Sequence, residues 1–191
     1  MQAIPSLPAY AELQCASNFS FLRGASHPEQ LVARAAELGY AAIAITDECS
    51  VAGVVRAHGE AKRQGLPLIV GSQFRVNDGN GDAFRLIALA MGRDGYGNLC
   101  ELITLARNRV DKGDYLLTAA DFSSPPANLS HLRGLPGCIV LLAPDYGIVP
   151  DRLQQQAAWM RATFGERARL ALTLLYRGND ECHKAVVLDA A

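Results

Sequence analysis

Apolar positions follow two spacings along this chain, and the two alternate. Residues 41–46 (AAIAIT) and 138–143 (CIVLLA) are short continuous apolar runs, the pattern of strands buried on both faces. Residues 68–76 and 84–91 predict two more strands, and the turn-forming NDGNGD at 77–82 predicts that they form a hairpin. Residues 10–15 alternate weakly, and 10–15 and 170–176 are also expected as strands. Between these runs the apolar spacing changes to that of helices. Leu31, Ala35 and Leu38 share a face, Gly39 supplies a stop, and SHPE at 26–29 predicts a capping box with Ser26 as N-cap and Pro28 in the first turn. Ser50 is placed to cap a second helix reaching Gln64 and stopping at Gly65. Leu99, Leu102, Ile103 and Ala106 mark a third helix, residues 150–164 a fourth, and a fifth starts at Asp180. Residues 118–137, rich in Pro, Ser and Gly, predict a long connection with short helical turns.

Alternating strands and helices predict an α/β domain with parallel pairing and right-handed crossovers. A (β/α) barrel and an open doubly wound sheet both fit. Either architecture gathers chemistry at the carboxyl ends of strands, where Gln14, Cys15, Asp47, Glu48 and residues 71–73 fall.

Composition narrows the function. Of 191 residues, 50% are hydrophobic and 19% charged, so the chain can bury a sizeable core and is not a disordered segment. A net charge of -1 lacks the basic excess of many nucleic-acid modules, so the segment alone is expected to hold DNA weakly. Residues 1–10 carry neither the basic start nor the apolar run of a signal peptide, and no run approaches the ~18 apolar residues of a membrane span. Five scattered cysteines, none in C-x-x-C, predict reduced thiols in a cytoplasmic protein.

Adjacent Asp47 and Glu48 could hold a hard cation or act as acid and base, or Asp47 could simply accept backbone N–H bonds near a helix start. His27, His58, His131 and His183 each stand alone, which disfavours a histidine metal centre. Asp78, Asn80 and Asp82 imitate an EF-hand opening, but Ala83 and Leu89 stand where Gly and Glu are required, so a hairpin turn is expected. Asn128-Leu129-Ser130 is a glycosylation pattern with no secretion signal beside it. Cys15 and Cys49 lie near strand ends without a neighbouring histidine to generate a thiolate.

Several segments, in order, resemble the opening of the C-family bacterial replicative polymerases. They are AEL at 11–13, SNFSFLRGASHPEQLV at 17–32, AAELGYAAIAITDECSVAGVVRAH at 35–58, GLPLIVGSQF at 65–74 and RLIALAMGRDGYGNLCELIT at 85–104. FLRGASHPE and TDECS are most similar to the error-prone branch, whose members assist lesion bypass and DNA repair. The resemblance implies an N-terminal PHP domain spanning residues 1–191, a distorted (β/α)7 barrel incomplete at its C-terminal end, with its last strands and last metal motif missing. An open barrel of this kind exposes a sheet edge, so the isolated chain is expected to be marginally stable.

In the family this barrel holds up to three metal ions, and metal-activated water hydrolyses phosphoesters or proofreads. The implied ligand positions are degraded here. The first H-x-H is Gln14 and Ala16, and the Asp before the following Gly is Arg23. TDH is Thr46, Asp47, Glu48; the Glu of G-x-E is Gln73, and the next motif's His is Arg85. Asp47 and Glu48 are thus a vestigial metal pair, and Arg23 and Arg85 are expected to occupy the vacated site and pair with them. The resemblance implies a metal-free, structural module of a DNA-directed DNA polymerase. Mg2+ would serve the parent's palm, and DNA, the sliding clamp and other lesion-bypass proteins would be its partners, with no membrane role. A metal-dependent phosphoesterase or proofreading domain, and an orphan interaction remnant, are the alternatives.

Overall fold

The computed structural model describes residues 9–79 and 81–191. The opening residues searched for a signal peptide therefore lie largely outside it, as does Asn80 of the EF-hand-like turn. Six strands form one sheet in the order β1-β2-β3-β4-β5-β6: β1 (Ala11–Glu12), β2 (Ala42–Glu48), β3 (Leu68–Asn77), β4 (Ala83–Ala90), β5 (Cys138–Ala143) and β6 (Ala168–Leu170). Helices α1 (Pro28–Glu37), α2 (Val54–Gln64), α3 (Arg93–Arg107), α4 (Ala120–Ser123), α5 (Pro150–Phe164) and α6 (Asp180–Asp189) lie between and after them. The α/β class is as expected, and the sheet curls into a half-barrel.

The curl is visible where the two sheet edges meet. Five strand spacings of about 4.8 Å would put the edges of a flat sheet roughly 24 Å apart. Yet Thr173 Oγ1, just past β6, lies 3.4 Å from Gln14 Oε1, just past β1.

Pairing is mixed rather than all parallel. The β3–β4 hairpin reverses the chain, so β4 runs antiparallel to both β3 and β5, and β1–β2, β2–β3 and β5–β6 are parallel. The hairpin turn closes as expected, with Asp78 and Asp82 bonding each other's backbone through Asp78 N–H to Asp82 O at 2.9 Å and Asp82 N–H to Asp78 Oδ1 at 3.2 Å. The strand expected at 170–176 ends at Leu170. Pro144 lacks an N–H and stops β5, so β6 loses its partner after Ala171 N–H reaches Leu142 O. Leu172, Leu174, Leu175 and Tyr176 are consequently exposed.

The strands' two-residue period sorts side chains onto two faces. Ile43 and Ile45 pack with Val32, Ala35, Ala57 and Ala61 of α1 and α2. Phe74, Val76, Leu86, Ala88, Val140 and Leu142 pack with Leu99 and Leu102 of α3 and Leu153 of α5. The concave face carries a smaller cluster, Ala44, Ile87, Leu89, Leu141 and Ala143. Two helix starts differ from expectation. His27, not Ser26, is the N-cap of α1, and Gln30 Oε1 accepts its N–H at 2.9 Å. Helix α2 begins at Val54 after Gly53, with Ser50 Oγ closing only the preceding turn by accepting Ala52 N–H. Gly65 ends α2 in the left-handed region (φ 68°), where a side chain would be strained. Leu38 is half exposed rather than part of the buried face of α1.

Candidate functional site

Two features of the curled sheet build the site: the carboxyl ends of β2 and β3, and the loops that follow β1, β5 and β6. Asp47 and Glu48 are neighbours on β2, so strand alternation sends them to opposite faces. Asp47 shares the parity of Ile45 and points toward the helix layer, beside Gly53. A Cβ on Gly53 would approach Asp47 Oδ2 to 2.9 Å. Glu48 shares the parity of Ala44 and points to the concave side.

Asp47 is buried, and its acceptors are filled by protein donors. Ser17 N–H and Ser20 Oγ donate to Oδ1 at 2.8 and 2.7 Å, and Ser17 Oγ donates to Oδ2 at 2.8 Å. Ser20 Oγ in turn accepts Glu48 N–H at 2.9 Å, and Ser72 Oγ donates to Asp47 O at 2.8 Å. The carboxylate thus ties the loop after β1 to the end of β2. It does not pair with either arginine.

Glu48 accepts from Arg23 Nη1 at 3.2 Å and from the Tyr115 hydroxyl. Tyr115 Oη also accepts Arg75 N–H at 2.7 Å. Burial, then the Glu48 carboxylate, pushes the Tyr115 phenol far above its ordinary pKa, so it stays a neutral donor. Arg107 caps the strand end, with Nε to Cys49 O at 3.0 Å and Nη2 to Glu48 O at 3.3 Å. Those bonds, with Cys49 N–H to Gln73 O at 2.8 Å, hold Cys49 at a positive φ of 45°, unusual for a non-glycine residue.

The degraded ligand positions do converge. Gln14, Ala16, Arg23, Gln73 and Arg85 line one cleft of about 410 Å³, together with Asp145, Tyr146, Thr173 and Arg177. Gln14 Nε2 lies 3.4 Å from Gln73 Oε1. Arg85 pairs with Asp145, not with Asp47 or Glu48, at 3.6 Å. The expected four-residue ionic cluster is therefore split into Arg23–Glu48 and Arg85–Asp145 (Asp47 being held by hydroxyls instead), because Asp47 and Glu48 face opposite ways.

The histidines lie elsewhere. His27 caps α1, His58 is exposed on α2, and His131 meets Glu101 at 2.8 Å. His183 is buried and stacks on Tyr146 at 4.1 Å, behind the cleft wall. Burial pushes the Cys15 thiol up to about 11 and, against the opposing Arg107 guanidinium, the Cys49 thiol up to about 12. Neither is a thiolate at neutral pH.

A multi-metal centre does not fit this donor set. A hard cation needs several carboxylate or imidazole ligands to offset its dehydration. Here Asp47 is saturated by three donors, Glu48 is held by Arg23 and Tyr115, two amides stand at 14 and 73, and arginines stand at 23 and 85. Among the described residues no three His, Cys, Asp or Glu side chains converge.

Sequence reasoning did not single out Ser17, Ser20, Tyr115, Arg107, Asp145 or Arg177. Asp145 carried a usable signal, a carboxylate two residues past a strand's end. Tyr115 and Arg107 reach the site through tertiary packing alone.

The PHP domain family model matches residues 12–173. The chain is 57% identical over 186 residues to the error-prone DNA polymerase of Bordetella parapertussis, covering 97% of this chain and 18% of that protein. It is 56% identical over 182 residues to the error-prone DNA polymerase of Ralstonia nicotianae, covering 95% of this chain and 17% of that protein. An amidohydrolase structure from Chromobacterium violaceum, solved with bound SO4 and no metal, superposes with a TM-score of 0.64 at 16% identity, covering 95% of this chain and 83% of that one. The chain spans less than a fifth of the length of these polymerases. It belongs to the PHP domain family, as a segment matching the N-terminal part of error-prone DNA polymerases.

Proposed function

We propose that this chain is the structural front module of an error-prone DNA polymerase, metal-free and without hydrolytic activity of its own. The observation that carries the reading is the state of the best-preserved ligand position: Asp47 spends both carboxylate oxygens on Ser17 and Ser20. A group that serves as a loop clamp is not available to a cation. The parent enzyme would synthesise DNA across lesions in the cytoplasm, using Mg2+ on carboxylates outside this segment. Its partners would be DNA, the sliding clamp and other lesion-bypass proteins. Asp47 and Glu48 are the vestige of an ancestral metal pair, and Gln14, Ala16, Arg23, Gln73 and Arg85 mark the positions that lost their ligands.

The test has two arms. With bis(p-nitrophenyl) phosphate and added Mn2+, the chain should show no turnover, and turnover abolished by Glu48→Gln would contradict the reading. In the longer polymerase, Glu48→Gln should leave primer extension intact, whereas Asp47→Ala should reduce the yield of folded enzyme.

A further inference from the structure

We propose that the cleft lined by Arg23, Arg85 and Arg177 is an anion site that holds a phosphate-bearing ligand directly on guanidinium groups, without metal ions. The inference rests on the reading above that the cleft has lost its metal centre. Three arginines line it against one carboxylate, Asp145. Even counting Glu48, which holds Arg23, one positive charge remains unbalanced, in a chain whose net charge is -1. Planar guanidinium groups match the oxygens of a phosphate, with two parallel N–H donors to one group.

Two observations point to a missing ligand. Arg85 Nε is buried and has no hydrogen-bond partner among the described residues. A buried donor left unpaired costs about 1–3 kcal/mol, and native structures rarely leave one so. The Arg85–Asp145 contact does not resolve this, because 3.6 Å is beyond hydrogen-bond range and involves Nη2. Arg177 forms no ion pair among the described residues; its guanidinium lies 5.5 Å over the Tyr146 ring at the cleft wall. The neutral groups around them are loosely engaged. Gln14 contacts Gln73 and Thr173 only at 3.4 Å, so each can turn to an incoming oxygen. Ala16 and Ala143 leave room, and a volume of about 410 Å³ lies in the range that takes small ligands.

The shared chemistry is a multiply charged phosphate, supplied either by free pyrophosphate or by the terminal phosphate of a DNA strand. Isothermal titration calorimetry in EDTA, at low salt, separates the sources with two probes, inorganic pyrophosphate and a short 5′-phosphorylated oligodeoxynucleotide beside its unphosphorylated form. Saturable pyrophosphate binding assigns the free anion. Binding of the phosphorylated strand, with the unphosphorylated one weaker, assigns a strand end. Either should weaken roughly tenfold or more in Arg85→Gln and in Arg177→Ala. Arg177 is exposed, so its variant remains informative if Arg85→Gln fails to fold. Arg34→Ala, on the far surface of α1, should bind as the parent does. Binding of neither probe to a metal-free chain, or equal weakening in Arg34→Ala, overturns the anion site and leaves the metal-free reading standing. Binding that appears only on adding Mn2+ overturns both.

Discussion

Ser20 donates its hydroxyl to Asp47 at 2.7 Å and accepts the Glu48 N–H at 2.9 Å, so one serine joins the loop after β1 to both acidic residues at the end of β2. The carboxylate most easily taken for a metal ligand is therefore a packing element. Asp47→Ala would leave Ser17 N–H and two hydroxyls buried without their acceptor. A loss of about 3 kcal/mol is expected, since hydrogen bonds to a charged group are worth about 1.5–3 kcal/mol each and do not add. Urea unfolding followed by fluorescence of Trp159, the single tryptophan, measures it. A loss below ~1 kcal/mol would mean that the clamp is not structural.

Trp159 is a suitable reporter because it packs edge-on against Phe84, Phe122 and Phe164 at 5.3–6.1 Å, joining α5 to β4 and to the long connection.

Gly95, in the first turn of α3, touches the backbone that enters β5. A Cβ built there would lie 1.9 Å from Gly137 O, with backbone on the other side that cannot rotate away. Gly95→Ala should therefore cost about 3 kcal/mol, at the upper end for overpacking, despite alanine's better helix propensity. A variant as stable as the parent in the same urea assay would contradict the close approach of α3 and β5.

Acid stability should depend on Asp121. Burial pushes its carboxyl up, but paired bonds from Arg109 at 2.7 and 2.5 Å, with Thr118 N–H at 2.7 Å and Thr118 Oγ1 at 2.9 Å, outweigh burial and hold its pKa below the ordinary value. A group with a depressed folded pKa stabilises fully above its unfolded pKa, about 3.9, and loses that contribution as pH falls through the folded value. Asp121→Asn should thus be less stable than the parent at pH 7, by about 2 kcal/mol, and the gap should close below pH 4. Stability curves from pH 7 to pH 2 that stay parallel would rule this out.

Tyr115→Phe removes the donor to Glu48 and the acceptor of Arg75 N–H. A loss of about 1–2 kcal/mol is expected, with Arg23 remaining on Glu48. Because Tyr115 is held neutral, difference absorbance should show as many tyrosines ionising before alkaline unfolding in Tyr115→Phe as in the parent. A variant that loses one of the tyrosines ionising in the folded parent would contradict a neutral, partly buried Tyr115 on Glu48.

Much of the fold was legible because local signals agree with tertiary packing. The apolar run at 138–143 became β5 residue for residue, and residues 150–164 became α5. The NDGNGD turn did set the β3–β4 hairpin, and that reversal, which periodicity cannot express, made the sheet mixed. The overlong strand at 170–176 followed from apolar residues that have no partner once Pro144 ends β5. In the site, Gln14, Arg23, Gln73 and Arg85, far apart in sequence, line one cleft. What the sequence could not express was direction. Asp47 and Glu48 were read as a pair because they are adjacent, yet adjacency on a strand is what separates them.

The proposed exchange of metal ligation for internal bonding in this cleft can be read from its metal stoichiometry. The chain would be dialysed to equilibrium against Mn2+ or Zn2+, washed, and its metal measured by inductively coupled plasma mass spectrometry. Far less than one ion per chain is expected, unchanged by Glu48→Gln. One ion or more per chain, lost in Glu48→Gln, would contradict it and return the cleft to metal-dependent chemistry.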